Sequence, residues 1–141
     1  MERGDDKTVL PPAADGPDMK VLLGIGGTDD AYRALEQVVE RTRETGDDLT
    51  VAILENPASD DAPDAVERRA RAVLDDAGLD AVAVRQLEGD PGPQLVELAE
   101  REGFDRLVLG GGQRSPMGKI SLGSVAEYVL LNARVTVTLV R

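Results

Sequence analysis

Apolar runs of strand length alternate with segments of helical period along this chain, in the order βαβαβαβαβ. That alternation predicts an α/β fold: a single three-layer sandwich with a five-stranded parallel sheet, right-handed crossovers and two helices on each face. Two further observations agree. The first run, Lys20-Val-Leu-Leu-Gly-Ile25, is apolar without alternation, as a strand buried on both faces must be. Glycine-bearing turns follow two of the runs, Gly26-Gly27-Thr28 and Gly110 to Gly112, where a parallel strand hands the chain to its crossover.

Residues 1–18 (MERGDDKTVLPPAADGPD) hold proline, alanine, glycine and aspartate with almost no apolar pattern. They read as a flexible acidic tail before one domain over 19–141. After the first strand, Thr28 is placed to cap a helix, and Asp29 and Asp30 suit its positive end. Ala31, Leu35, Val38 and Val39 mark that helix's inner face, and Gly46 stops it. Leu49 to Leu54 is the second strand, and the Pro/Asp-rich stretch Glu55 to Pro63 is a loop. Asp64 to Ala77 is helical, with Ala65, Val66, Ala70, Val73, Leu74 and Ala77 inward and Gly78 as cap. Glu67, Arg68, Arg69 and Arg71 fall on its outer face, at the spacing of a solvated, ion-paired surface. Ala81 to Leu87 is the third strand. Asp90-Pro91 signals a helix start, Leu95, Val96, Leu98 and Ala99 point inward, and Gly103 ends the helix. Leu107 to Leu109 is the fourth strand. Val125, Ala126, Val129 and Leu130 give the apolar face of the last helix, and Val135 to Val140 alternates as a final edge strand. Tyr32 and Tyr128 sit on helices at spacings that indicate packing.

Composition removes whole classes of chemistry. With no His among its 141 residues, the chain lacks the commonest general base and ordinary imidazole ligands. With no Cys, it lacks disulfides, thiolate metal sites and thiol nucleophiles. Aromatic content of 2% makes the core aliphatic. A net charge of −11 repels nucleic acid and anionic membrane surfaces. Lysine occurs only as Lys7, Lys20 and Lys119 while aspartate is frequent, a halophile-like balance. No run approaches the ~20 apolar residues of a membrane span, and the N-terminus carries no signal-peptide pattern, so a cytoplasmic location is expected.

The stretch Phe104 to Leu131 carries most of the functional signal. Leu107-Val108-Leu109 leads into Gly110-Gly111-Gly112, then a polar, basic loop from Gln113 to Ser121 with Arg114 and Lys119, then Gly123-Ser124 opening a helix. Helix starts expose backbone N–H groups at a positive dipole end, which suits phosphate, and glycine allows close backbone approach. The same spacing also serves a plain strand-to-helix turn. If the first and fourth strands are neighbours where the strand order reverses, both glycine turns line one crevice beyond the strand ends, the position where such sheets bind ligands. Arg114 and Lys119 would there neutralise phosphate charge; otherwise they are exposed loop cations.

These residues resemble the universal stress protein family from about Met19 to Arg141. The likeness rests on the first strand with Gly27-Thr28 and Ala34-Leu35, on Gly89-Asp90-Pro91 with Leu98-Ala99-Glu100, and on Leu107 to Gly110 followed by Gly123-Ser124-Val125-Ala126-Glu127. ATP-binding members carry Gly, two residues, Gly, nine residues, Gly, then Ser or Thr. Gly110, Gly123 and Ser124 match that spacing, whereas Gln113 replaces the second glycine and Gly26 stands where the family usually has Asp. The resemblance implies a Rossmann-like, adenine nucleotide alpha hydrolase-like sheet of order 3-2-1-4-5. It also implies an ATP or other adenine nucleotide site with Ile25 and Gly26 at the adenine and ribose, and Gly110, Gly112, Gly123 and Ser124 near the phosphates. Gly27, Gln113, Arg114 and Lys119 complete the candidate set.

The turn Ile25 to Asp30 is also similar to the Ser-Gly-Gly-x-Asp-Ser pyrophosphate loop of ATP-pyrophosphatases, with both serines replaced. That likeness would make Asp29 a Mg²⁺ ligand; a capped turn explains the same residues. Three functions follow for comparison: a stress-response nucleotide binder with at most slow ATP hydrolysis, a nucleotide-free homodimeric scaffold, and an ATP-hydrolysing or adenylating enzyme. The family implies a homodimer through the final strand, with Val135, Val137 and Leu139 at the interface.

Overall fold

A computed structural model of the chain describes residues 19–55, 61–110, 113–114, 120–121 and 123–140. The predicted tail 1–18 lies outside the described residues. The main sheet has five strands, β1 (Lys20–Ile25), β2 (Asp48–Leu54), β3 (Ala83–Leu87), β4 (Arg106–Gly110) and β7 (Thr136–Val140), in the order β3-β2-β1-β4-β7. All four pairings are parallel. Two-residue strands β5 (Gln113–Arg114) and β6 (Ile120–Ser121) form a separate antiparallel pair. The helices are α1 (Asp29–Thr45), α2 (Pro63–Asp76), α3 (Pro91–Arg101) and α4 (Ser124–Asn132).

Each strand divides its side chains between two cores. Val21, Leu23 and Ile25 of β1 join Leu35, Val38, Val66 and Leu74 beneath α1 and α2. Leu22 joins Leu95, Leu98, Leu107, Leu109 and Val129 beneath α3 and α4. The apolar continuity of β1 thus reflects burial on both faces. Gly24 keeps that sheet face flat: a Cβ there would stand 2.8 Å from Leu95 Cδ2.

Local chemistry sets the helix ends. Thr28 Oγ1 accepts the Ala31 N–H at 3.2 Å, and Gly46 closes α1 in the left-handed conformation at φ 76°. Those positions are the ones the sequence indicates for cap and stop. Proline opens both α2 and α3, where its missing N–H costs nothing. Asp90 occupies the N-cap position of α3, but its side chain makes no capping hydrogen bond. Four details differ from the sequence expectation. Helix α2 begins one residue earlier, at Pro63. Strand β3 begins at Ala83, because the preceding residues are taken by a turn in which Val82 N–H donates to Leu79 O. Leu130, expected inward, is exposed beside a fully exposed-facing Leu131, since the buried arc of α4 ends at Val129. The loop after β4 is not plain loop, for Gln113 pairs with Ser121 and Arg114 with Ile120.

Polar contacts fasten the margins. At the lower end of β1, Lys20 N–H donates to Asp105 Oδ2 at 2.8 Å, Lys20 Nζ donates to Glu102 O at 2.7 Å, and Nζ lies 4.8 Å from the Phe104 ring centroid. Between α1 and α2, the buried Tyr32 donates its hydroxyl to Asp61 Oδ2 at 3.1 Å while the Arg69 guanidinium stacks 3.7 Å from its ring. Burial, then the bond to the Asp61 carboxylate, raise the Tyr32 pKa above the usual 10.0. Because the folded value is the higher one, this contribution to stability is complete below pH 10 and is lost as pH rises through it. Replacing Tyr32 with Phe should cost about 1 kcal/mol at neutral pH through the lost hydrogen bond. It should also flatten the fall in stability expected of the native chain in urea titrations above pH 10.

Candidate functional site

The C-terminal rim of the sheet gathers most of the candidate residues. Strands β1 and β4 are hydrogen-bonded neighbours, with Leu22 opposite Leu107 and Gly24 opposite Leu109, and the strand order reverses between them. The conditional adjacency on which the sequence argument turned is therefore present. From β1 the chain passes through Gly26 and Gly27, the latter at φ 85°, a conformation that favours glycine. Thr28 then starts α1.

Gly110 at the end of β4 has a definite steric duty. A Cβ built there would lie 2.5 Å from Asp30 O and 2.8 Å from Ala31 N, both backbone atoms of the first turn of α1. The missing side chain lets α1 settle directly on β4. Glycine at this position is thus explained by helix packing, whatever else the rim does.

The opposite wall is the start of α4. Gly123 is its N-cap, exposed, with φ −68° and ψ 160°, and its carbonyl accepts the Glu127 N–H at 3.0 Å. A glycine cap offers no side-chain oxygen, so the first-turn amides of α4 receive no cap hydrogen bond from it. Among the described residues, a Cβ at Gly123 would meet nothing within 4 Å. Helix α3 starts beside it: Gly92 packs against the Tyr128 ring, where a Cβ would come within 3.0 Å. First-turn amides at the positive end of a helix are the kind of donor set that phosphate uses.

The remaining candidates divide three ways. Ile25 is 1% exposed within the α1/α2 core, so any contact it makes with a base is through its backbone. Gln113 and Arg114 stand in the β5–β6 ladder, an extended conformation in which Gln113 has no need of glycine's left-handed backbone. Gly112 and Lys119 lie outside the described residues, and Ser124 is described only as the first residue of α4. Asp29 is exposed at the first position of α1, and Asp30 holds Arg33 at 3.1 Å. Among the described residues, no group of three or more His, Cys, Asp or Glu side chains is placed to hold a metal ion. The β5–β6 pair was the element that residue spacing missed. The expected interface residues Val135, Val137 and Leu139 are half-buried against the α3/α4 core, and β7 has an open edge.

Comparison with known proteins places this geometry. The profile of the universal stress protein family matches residues 19–141. A universal stress protein of Methanocaldococcus jannaschii is 38% identical over 60 residues, covering 43% of this chain and 35% of the relative. The alignments with curated relatives span about a third of those proteins' length. A crystal structure of a universal stress protein in complex with cAMP superimposes with a TM-score of 0.68 and 26% identity, covering 87% of this chain and 96% of that one. The universal stress protein from Archaeoglobus fulgidus in complex with dAMP shares the fold with a TM-score of 0.57 at 19% identity, covering 87% and 98%. Among the described residues, no helix is long and apolar enough to cross a membrane.

Gly110→Ala should separate packing from ligand effects. The new methyl meets rigid backbone, so the variant should lose roughly 1–3 kcal/mol in urea unfolding. Gly123→Ala, which enters open space, should keep the sheet and both cores intact by the same measurement.

Proposed function

The chain belongs to the universal stress protein family, and from that premise we propose that it binds an adenine nucleotide at the β1–β4 rim and acts as a stress-response regulator with little or no catalysis. The observation that carries this reading is the start of α4. Its first-turn amides stand behind a glycine cap that gives them no side-chain hydrogen bond, across the rim from α1. The nucleotide complexes of similar proteins support adenine as the base and phosphate as the anchor. ATP with Mg²⁺ is the proposed ligand, with phosphates over Gly123 and Ser124, and with Arg114 and Lys119 from the intervening segment supplying positive charge. Absence of His and Cys leaves no strong base or thiol nucleophile to drive rapid turnover.

The acidic chain makes this arrangement selective. A net charge of −11 opposes a triphosphate at long range, whereas amide dipoles attract it only at contact. Affinity should therefore rise with salt until the long-range repulsion is screened.

We further propose a homodimer through β7. The strand pairs on one side with β4 and presents its other edge unpaired, which is an invitation to a second copy. Since Val137 and Leu139 pack on the α3/α4 core, the edge offers chiefly backbone donors and acceptors, with exposed Leu130 and Leu131 on the nearby helix that precedes it.

Gly123→Asp tests the nucleotide site directly. The carboxylate should occupy the α4 amides, raising stability by a few tenths of a kcal/mol as a better N-cap. It should lower ATP affinity at least tenfold in calorimetric titration; undiminished binding, or a flat titration of the native chain at high salt, rejects the site. Light scattering should give about twice the 15.0 kDa chain mass; a monomer mass rejects the dimer.

A further inference from the structure

A second concavity lies on the α1 face of the sheet, away from the rim. Strand register puts Thr136, Thr138 and Val140 of β7 on the same face as Arg106, Val108 and Gly110 of β4. Helix α1 covers β1 and β4 on this face and meets β7 more sparsely. The gap is a groove of about 450 Å³. Its floor and inner wall are apolar, formed by Val21, Val38, Val108 and Val140. That volume falls within the range of small-molecule sites, about 300–1,000 Å³.

Two groups of opposite charge stand on its lining, Arg106 and Asp47. Arg106 Nε is buried and has no hydrogen-bond partner. Elsewhere on the protein, Arg33, Arg43, Arg71, Arg85 and Arg101 each hold a carboxylate within 3.4 Å. A buried, unpaired donor on a charged group is costly, about 1–3 kcal/mol or more. The Asp47 side chain is only 5% exposed, and its Oδ2 is ion-paired with Arg41 Nε at 3.9 Å, too long for a hydrogen bond. The groove therefore carries an unanswered donor and a desolvated carboxylate above a hydrocarbon floor.

We propose that this groove binds a small aliphatic zwitterion, an α-amino acid or a molecule of like chemistry. Its carboxylate meets Arg106, its ammonium meets Asp47, and its hydrocarbon lies along the valines. The surrounding charge excludes simpler guests. Glu40, Glu44 and Asp47 outnumber Arg41 and Arg106 on the lining, so a lone anion or a phosphate is repelled. A ligand bearing both charges satisfies both groups. The charged end of the groove is set back from the rim: Arg106 precedes Gly110 by four residues of strand, roughly 13 Å.

The test uses the full chain and three probes of matched skeleton: leucine, isoamylamine, which lacks the carboxylate, and 4-methylpentanoate, which lacks the ammonium. Leucine should bind in calorimetric or saturation-transfer titration, and each half-molecule at least tenfold more weakly. Arg106→Met keeps the aliphatic stem and removes the unpaired charge. It should lower leucine affinity tenfold or more while the urea midpoint stays level or rises. Asp47→Asn should weaken leucine similarly and spare 4-methylpentanoate. Flat titrations with both leucine and valine at millimolar concentration overturn the proposal. So does equal binding of the three probes, or leucine binding that survives both substitutions.

Discussion

The distance between two stretches of backbone governs this protein. The first turn of α1 rests on the end of β4 at a separation that a single methyl group would close. That contact fixes where α1 begins and so fixes one wall of the rim. The other wall, the start of α4, is reached only after the chain has left β4, formed the β5–β6 ladder and returned. The rim is thus a gap whose walls are set by backbone more than by side chains. Such a construction tolerates wide sequence variation, in keeping with TM-scores of 0.57 to 0.68 at 19% to 26% identity.

Electrostatics follow the same economy. Most arginines on the helices are engaged by nearby acids, as in Arg33–Asp30, Arg71–Glu67 and Arg101–Glu97. Exposed pairs of this kind contribute little stability, about 0–1 kcal/mol each. Their effect is on the field: each local pairing cancels a cation and leaves the surplus of acids to set the surface potential. The Arg85–Glu102 pair, at 2.9 Å, holds the Glu102 carboxyl below its usual range in the same way. Among the described residues, Arg106 stands apart from these pairs, its buried Nε without a hydrogen-bond partner.

Most of the scaffold was legible because each element announces its own ends. Thr28, Gly46, Pro91 and the βαβ rhythm carry local physical signals, and they sit in the structure where those signals place them. The adjacency of β1 and β4 was legible only through topology and family likeness, since nothing in either strand names its partner. The ladder at Gln113 and Arg114 escaped notice because two residues are too few to show a period. Leu130 misled because hydrophobicity marks a helix face only to within one residue of its border. The packing reason for Gly110 was not legible: a steric contact with α1 is a tertiary fact. The solitude of Arg106 was equally invisible, since a sequence shows an arginine and never shows what it fails to touch.

The central place of β1 has a consequence for how the chain is born. Its partner β2 follows within one helix, but its other neighbour, β4, is 85 residues distant. A ribosome delivers the first half-sheet well before β4 exists to cover the far side of β1. During that interval an apolar ribbon with unsatisfied amides waits in the open, a state prone to aberrant association. Non-local parallel pairing of this kind is slow to form. The lifetime of the nascent half-sheet is thus a point at which synthesis can be lost to association before the fold is complete.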